Sequence, residues 1–375
     1  MVIKAFAPPV LTEGVWTSWN SAFQFAAADA VSYEYDEKWD NRGSFSLALP
    51  FSKARLSALT MNSVLCISDD FFHSDDWHIV ENVFYEGKRI ILTGHDSKGL
   101  LHLRQTVPPA SSPVEGFDAV EGTTAECAQA LLKHNCVANN DYSVRTQRQL
   151  PITIGNCAAG LTSDSYMTAY ENLIDAVHNL CYNAGLGYSM KGNAAGAGFV
   201  FRTLAGTDRS IGQSERGRVI FSVSQKNVLN LSFEHGIDNL LSVMYTKDSN
   251  DVVQTVYRDG ETAGLSRREC SISVPVSSTT EPDAFRMYAL KAVEDNIETH
   301  SYELTASAAS GYGSRYFLGD IVTVKDDFTG SAYNGVITGA VKSFGAGQRS
   351  LSLTIGKPKQ KLFDKITKNL KNGVI

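Results

Sequence analysis

Short runs in which apolar and polar residues alternate recur through the first hundred residues, and each run ends in turn residues. The run at 31–35 leads through the turn signal Asp40-Asn41-Arg42-Gly43 into a second run at 44–50. Further runs lie at 63–68, 77–80, 82–85 and 88–93. Because successive side chains of a strand point to opposite faces, each strand must pack against others to bury its apolar face. Short strands at a spacing of roughly 8–14 residues therefore predict a β-barrel or a β-sandwich.

Helical signals replace this pattern after the Ser- and Pro-rich segment that follows Pro108. Thr123 and Glu126 form the signature of a capping box, which predicts a helix that continues through Leu132. Apolar residues at helical spacing predict a longer helix over 165–183. A glycine-rich loop at 191–198 separates two strand-like runs and predicts a hairpin. Together these segments indicate a small α+β domain.

Strand-like runs return after residue 217, and one predicted helix at 281–299 interrupts them. These runs lie at 218–223, 228–233, 239–245, 251–257, 301–306, 320–325, 333–344 and 350–355. We therefore predict a β-rich α+β fold with two small β-barrel domains, an α/β domain and a helical insertion. The predicted boundaries are 1–108 for the first barrel, 109–217 for the α+β domain, 218–257 with 311–356 for the second barrel, 258–310 for the insertion and 357–375 for a C-terminal tail.

The C-terminal tail combines an apolar stripe with several lysines and predicts a short amphipathic helix. The stripe consists of Leu362, Phe363, Ile366 and Leu370. It packs either on its own domain or into a partner protein, and the sequence leaves both alternatives open, with membrane binding a third. The stripe is the predicted partner-binding site. The loops at 69–76 and 192–198 are further interface candidates.

The net charge, the apolar runs and the cysteine pattern restrict the functions and locations that the sequence allows. The 34 Lys and Arg residues against 40 Asp and Glu give a net charge of −6, which argues against a protein-wide nucleic-acid-binding face. No apolar run approaches the roughly 20 residues that cross a bilayer, and the N-terminus lacks the pattern of a signal peptide. We therefore expect synthesis in the cytoplasm and no membrane insertion. The six cysteines are dispersed and are predicted to be small buried hydrophobic side chains.

The sequence contains neither a nucleophile elbow nor a phosphate-binding glycine loop, so we predict no catalytic residue and no cofactor. Four carboxylates and two imidazoles cluster at 69–78; they predict a solvated acidic hairpin loop, with a divalent metal site as the alternative. Two further acid–imidazole neighbours are His95 with Asp96 and Glu234 with His235. Asp96 or Ser97 is predicted to cap a short helix, and no metal site is assigned.

Several longer stretches resemble a family of phage tail proteins, the hub or tail-associated proteins of siphophages and related prophage tail elements. The matching stretches are WDNRGSFSLALP at 39–50, WHIV at 77–80, ILTGHDSKGLLHLR at 91–104, FVFRTLAGTDR at 199–209, VIFS at 219–222, GLSRRE at 264–269 and YFLGDIVTV at 316–324. Their order and spacing cover nearly the whole chain up to Gly356, with segment 108–121 and the C-terminal tail outside the resemblance.

The resemblance implies a baseplate hub at the tail tip: two small β-barrels side by side, an α/β domain outside them, and three copies closed into a ring. The expected partners are the tail tube or distal tail protein above and a spike, fibre or tape-measure protein below, with DNA passing through the lumen without specific binding. The expected location is the virion tail. A tail-associated cell-wall hydrolase and a receptor- or carbohydrate-binding module are the alternative functions, and an injection system is an alternative context.

Overall fold

The computed structural model describes residues 1–137, 148–160, 162–193, 196–237, 240–258, 260, 262–274, 276–280, 282–291, 298–307 and 311–357. Within these residues the chain forms two compact units. The large unit comprises Met1–Leu231 and Glu303–Ile355, and the small unit comprises Ser232–Tyr302. The chain leaves the large unit between Leu231 and Ser232 and returns to it between Tyr302 and Glu303. Each crossing falls inside a β-strand.

Strands dominate the structure, which confirms the prediction of a β-rich α+β fold. The strands are β1 (Val2–Phe6), β2 (Leu11–Thr12), β3 (Val15–Trp16), β4 (Phe23–Ala27), β5 (Ser32–Lys38), β6 (Ser44–Pro50), β7 (Val64–Asp69), β8 (Ser74–Glu86), β9 (Arg89–Asp96), β10 (Asp118–Thr123), β11 (Ile152–Ile154), β12 (Thr162–Thr168), β13 (Leu186–Gly192), β14 (Phe199–Ala205), β15 (Ile220–Phe221), β16 (Val228–Gly236), β17 (Val243–Lys247), β18 (Val253–Tyr257), β19 (Glu269–Ser273), β20 (Thr299–Ala306), β21 (Ile321–Lys325), β22 (Ala332–Gly345) and β23 (Gln348–Lys357). The helices are α1 (Trp19–Ala22), α2 (Lys53–Ala58), α3 (Thr124–Asn135), α4 (Leu173–Asn183) and α5 (Pro282–Lys291), with 3-10 helices at Ser97–Leu103 and Gly264–Ser266.

The main sheet joins strands from both ends of the chain. Its order is β23-β22-β5-β6-β9-β8-β7-β1-β4, and it continues beyond β23 with β20 and β16. Strands of the two predicted barrels meet where β5 pairs antiparallel with β22, with Tyr35 opposite Lys342. Among the described residues no pairing closes this path into a barrel. Strands of both predicted barrels thus belong to one continuous sheet, and the number of barrels stays a prediction.

Two small sheets and two helices lie between β9 and β15. One sheet pairs β10 with β12, and the other has the order β11-β14-β13. The capping box of α3 is confirmed: the Thr123 hydroxyl accepts from the Glu126 amide, and the Glu126 carboxylate accepts from the Thr123 amide. Helix α4 packs against α3, and their apolar faces share a core with side chains such as Phe6 and Val64 from the main sheet.

The predicted helix over 165–183 is wrong in its first half. Residues 162–168 form β12, which pairs antiparallel with β10 and places Tyr166 opposite Val120. The helix begins at Leu173, where the Asn172 side chain accepts a hydrogen bond from the amide of Ile174. Pairing with a distant strand therefore overrides the helical spacing of the tyrosine side chains. The predicted hairpin is confirmed by the antiparallel pair β13–β14.

The small unit contains a three-stranded sheet of order β18-β17-β19, with β17 antiparallel to β18 and parallel to β19. Helix α5 agrees with the first part of the helix predicted at 281–299, whereas residues 292–297 lie outside the described residues. The predicted helix end at 299 is wrong, because Thr299 begins β20.

Candidate functional site

The predicted acidic loop is a β-hairpin formed by β7 and β8. Asp70 and Asp75 are exposed, as a solvated loop requires. The prediction is wrong for Asp69, Asp76 and His78, which are buried. Asp76 and His78 occupy alternate positions of β8 and therefore point to the same, inward face of the strand.

Asp76 belongs to a buried ion cluster centred on Lys342 of β22, whose side chain is 1% exposed. The Lys342 Nζ lies 2.9 Å from the Glu37 carboxylate and 3.0 Å from both carboxylate oxygens of Asp76. It also donates to the Ser74 hydroxyl at 3.1 Å, while the Tyr312 hydroxyl donates to Glu37 at 3.1 Å. Since Asp76 and Lys342 are 266 positions apart in the sequence, the cluster ties the C-terminal strands to the N-terminal ones.

The charges in this cluster stabilise one another. Burial alone would raise the pKa of the Asp76 carboxyl, but the ammonium groups of Lys342 and then Lys191 outweigh burial and lower that pKa to about 2. Burial alone would likewise raise the pKa of the Glu37 carboxyl, but the Lys342 ammonium outweighs burial and lowers that pKa. Burial would lower the pKa of Lys342, yet Asp76 and Glu37 raise it. All three groups are therefore charged near neutral pH.

His78 sits beside the cluster in an aromatic environment. Burial lowers its pKa to about 3, so the imidazole is neutral near pH 7. Its Nε2 is hydrogen-bonded to the Tyr33 hydroxyl at 2.8 Å, and its ring stacks on Phe45 with centroids 4.4 Å apart. A buried neutral imidazole held in this way acts as a packing group and is a poor proton acceptor at neutral pH.

Asp96 occupies the N-cap position of the 3-10 helix that follows it, as predicted, but its side chain makes no capping hydrogen bond. Its carboxylate instead accepts hydrogen bonds from the Tyr35 hydroxyl at 2.9 Å and the Gly43 amide at 3.0 Å, with the Lys98 ammonium 3.5 Å away. The Ser97 hydroxyl donates to a backbone carbonyl of β13. The Asp96 side chain therefore links β9 to β5 and to the loop at Gly43, and the Ser97 side chain links the 3-10 helix to β13.

The second predicted acid–imidazole pair lies in the small unit and has a different acid. His235 is paired with Glu298 and not with its sequence neighbour Glu234. Both members of the observed pair are about half exposed, at 51% and 55%. An exposed ion pair of this kind is worth little stability and does not by itself define a reactive site.

A cleft of about 450 Å³ lies beside the Lys342 cluster in the large unit. Lys98 and Lys191 line it, and both are already paired: Lys98 donates to the backbone carbonyl of Lys38, and the Lys191 Nζ lies 3.6 Å from Asp76. Across the described ranges, no group of three or more His, Cys, Asp or Glu side chains is arranged to hold a metal ion. These two lysines of the cleft are therefore both engaged with acceptors of the chain.

The cysteines agree in part with their predicted role. All six are free thiols, and the four at positions 66, 127, 136 and 181 are buried, whereas Cys157 and Cys270 are partly exposed. Burial raises the pKa of the Cys136 thiol to about 12. A thiol in that state is a small hydrophobic side chain with little nucleophilic character at neutral pH.

The exposed side of the main sheet carries two rows of mainly polar side chains, one of which crosses six strands and the other five. The strand pairings place one row in the order Ser350, Ser343, Glu34, Ser46, Thr93 and Asn82. They place a second row in the order Ser352, Val341, Asp36, Ser44 and His95. We call these two rows the polar face.

Hydrogen bonds and ion pairs connect neighbours on the polar face. The hydroxyls of Ser343 and Ser350 are 2.6 Å apart, and the Asn82 amide donates to the Thr93 hydroxyl at 3.3 Å. The Lys38 ammonium lies 2.8 Å from the Asp36 carboxylate. Sequence reasoning did not single out this face, although the alternation in Ser44-Phe45-Ser46-Leu47 signalled one polar side. Only the pairing of distant strands brings the serines of β6 and β23 into one surface.

The predicted partner-binding stripe lies outside the described residues, and so do positions 194 and 195 of the predicted interface loop 192–198. In the rest of that loop, the Asn193 amide donates to the Gly198 carbonyl at 2.8 Å, and the Gly196 carbonyl accepts from the Trp19 amide at 3.1 Å. These described residues therefore make contacts within the chain. No helix of the described residues is long and apolar enough to span a membrane.

Comparisons with known proteins agree with the predicted family. A family model described as siphovirus ReqiPepy6 Gp37-like protein matches residues 15–357. The fold is similar to a tail protein from Neisseria meningitidis MC58, with a TM-score of 0.54, 13% identity and coverage of 94% of this chain and 95% of that one. It is also similar to the 43 kDa tail protein of prophage MuSo2 from Shewanella oneidensis, with a TM-score of 0.52, 12% identity and coverage of 95% and 96%.

A chain of a PdpA–VgrG complex has a TM-score of 0.52 at 10% identity; the alignment covers 96% of this chain and 66% of that one. The comparison with curated proteins gives no match. At these identities the structural likeness establishes the fold, while the family model spans most of the chain. The protein belongs to the siphovirus Gp37-like family of phage tail proteins.

Proposed function

We propose that this tail protein is the hub at the distal end of a phage or phage-like tail. Three copies close the tail tube as a ring and anchor the spike or fibre proteins that contact the host. The observation that carries the proposal is the agreement in fold with two tail proteins, one of them from a prophage, over 94–96% of this chain and of each of theirs. Agreement of this extent supports a role as a tail component, and a head-to-tail interface that closes gives a ring.

The two-barrel arrangement is part of this proposal. In this arrangement, residues 1–108 supply one tube-like element, and residues 218–257 with 311–356 supply a second one. Three chains therefore present six tube-like elements to a tail tube of sixfold symmetry. Segment 109–217 lies outside the ring, 258–310 is the insertion and 357–375 reaches a partner. The antiparallel junction of β5 with β22 supports the pairing of the two elements, because it makes their strands continuous in one sheet.

We further propose that the chain works by assembly and not by catalysis. The strongest support is the state of its buried ionisable groups. The Lys342 ammonium is held by two carboxylates, and the imidazole of His78 is neutral and packed between aromatic rings. Such groups stabilise the sheet.

The mass of the purified chain in solution, measured by light scattering, tests the ring. We expect three times the chain mass of 40.8 kDa. A monomer at every concentration would contradict a ring that closes by itself and would favour a binding module of the phage tail.

The same measurement on a chain that ends at Gly356 tests the role of the C-terminal tail. A trimer without the tail leaves Leu362 and Phe363 available for a partner, whereas loss of the trimer assigns them to the ring.

A further inference from the structure

We propose that the cleft beside the Lys342 cluster binds a neutral saccharide. The inference goes beyond the hub proposal and does not depend on it, because the cleft lies within a single chain. All the residues that line the cleft belong to the large unit. Its volume of about 450 Å³ lies within the range of roughly 300–1,000 Å³ that small-molecule sites have in proteins.

The charges of the cleft are paired, which disfavours a charged ligand. Each lysine that lines it already has an acceptor within the chain: Lys38 has Asp36, Lys98 has the Lys38 carbonyl, Lys191 has the Asp75 carbonyl, and Lys342 has the carboxylates of Glu37 and Asp76. A charged ligand would compete with these contacts. A wholly apolar ligand would remove the same groups from water without replacing their hydrogen bonds, which costs free energy. The ligand that fits is therefore neutral and offers both donors and acceptors.

Two buried polar atoms of the cleft wall favour a ligand with hydroxyl groups. The side chains of Tyr188 and Asp96 are 2% and 3% exposed. Among the described residues, neither the Tyr188 hydroxyl nor one carboxylate oxygen of Asp96 has a hydrogen-bond partner, although buried polar atoms normally have one. The Lys98 ammonium lies 3.5 Å from Asp96 and 5.5 Å from the centre of the Tyr188 ring, so both groups lie at the same end of the cleft. A hydroxyl group donates and accepts, and it therefore satisfies atoms of either kind.

Exposed groups at the cleft supply the remaining contacts that a sugar requires. The Phe317 side chain is 46% exposed, while its amide is fixed by a hydrogen bond of 3.0 Å to the Asp320 carboxylate. An exposed aromatic ring offers a large, rigid apolar face to the C–H groups of a sugar ring. Asp75 is exposed, and the Lys191 side chain is 46% exposed. A carboxylate acceptor and an ammonium donor are therefore accessible to the hydroxyls of the same ligand.

Titration of the intact chain with saccharides, followed by tryptophan fluorescence, tests the inference. Trp39 and Trp77 line the cleft, so a ligand that enters it changes their emission. The neutral probes are glucose, galactose, mannose and N-acetylglucosamine, and the charged comparisons are glucosamine and glucuronic acid. We expect saturable binding of at least one neutral probe with a Kd on the order of 1 mM, since ligands of this size bind weakly, and weaker binding of both charged sugars.

Two variants with matched controls locate the binding. Phe317→Ala should raise the Kd by about 10-fold or more through loss of the aromatic face. Phe328→Ala, which removes a ring that is 96% exposed outside the cleft, should change the Kd by less than about twofold. Asp75→Asn should raise the Kd by about fivefold or more through loss of a charged acceptor, whereas Asp70→Asn, at an exposed position of the same hairpin, should not. All four positions are exposed, and thermal unfolding checks that each variant folds.

Three outcomes would overturn the inference. The absence of a saturable change with every neutral probe, at about 20 times the expected Kd, excludes saccharide binding. A charged sugar that binds more tightly than its neutral counterpart contradicts the argument from paired charges. Equal affinities of the Phe317→Ala and Phe328→Ala variants place the binding outside the cleft. None of these results depends on the mass measured by light scattering, so the hub proposal is tested separately.

Discussion

Replacement of Lys342 by alanine should strongly destabilise the main sheet. The substitution leaves the carboxylate of Asp76 next to that of Glu37, which is 15% exposed, with Lys191 at 3.6 Å from Asp76 as a partial replacement for the lost cation. It also removes hydrogen bonds to Asp76 at 3.0 Å and Ser74 at 3.1 Å. Removal of one partner from a buried ion pair costs about 3–5 kcal/mol, because the remaining charge is uncompensated. That cost is a large share of the roughly 5–15 kcal/mol by which domains are stable.

Equilibrium unfolding in urea, followed by tryptophan fluorescence, measures this cost. All four tryptophans, at positions 16, 19, 39 and 77, lie in the large unit, so their emission reports on its unfolding. Lys88→Ala, at an exposed turn, is the matched control and should change the free energy of unfolding by less than about 0.5 kcal/mol. A loss below about 1 kcal/mol for Lys342→Ala would refute the reasoning, since it would mean that the cluster is solvated.

The pH dependence has a defined sign. The folded-state pKa of Asp76 is about 2, below the ordinary value of 3.8, so its stabilising contribution is present above pH 3.8 and is lost as the pH falls towards 2. The folded-state pKa of Lys342 is raised above 10.5, so its contribution is fully present below pH 10.5 and is lost at higher pH. The difference between wild type and Lys342→Ala should therefore be largest between these limits. A difference that stays constant down to pH 2 would contradict the cluster.

Three further predictions concern packing and capping. Thr123→Ala should lower the free energy of unfolding by about 1 kcal/mol through loss of the α3 cap, whereas Thr123→Ser should change it little in the same urea assay. Gly187→Ala should cost about 1–3 kcal/mol by overpacking, because its Cβ would lie 2.2 Å from the Trp39 ring; Gly217→Ala, with no atom within 4 Å, is the control, and equal melting temperatures would refute this contact. The His78 ring should show no NMR titration between pH 7 and pH 4, since its pKa is about 3; a midpoint near 6.5 would show that it is not buried.

Local signals predicted those elements whose stabilisation is local. The capping box at Thr123 and Glu126 predicted the start of α3 correctly, because its hydrogen bonds join residues three positions apart. The alternation at 44–50 predicted β6, because one face of that strand is buried and the other exposed. The helix predicted from residue 165 failed, because β12 obtains its hydrogen bonds from β10, whose paired residues lie 39 to 50 positions earlier in the chain.

The sequence by itself thus determined the β-rich class, the family and the positions of most strands, since these follow from periodicity and short motifs. Only the tertiary structure decided what the ionisable residues do. The sequence predicted that Asp76 belongs to a solvated acidic loop, whereas in the structure Lys342 of β22 is hydrogen-bonded to it. Likewise, Glu34 and Ser350 lie on one surface only because β22 pairs with the strands of both. The physical reason is that burial and charge pairing depend on contacts between strands distant in the sequence, and periodicity carries no information about which strands pair.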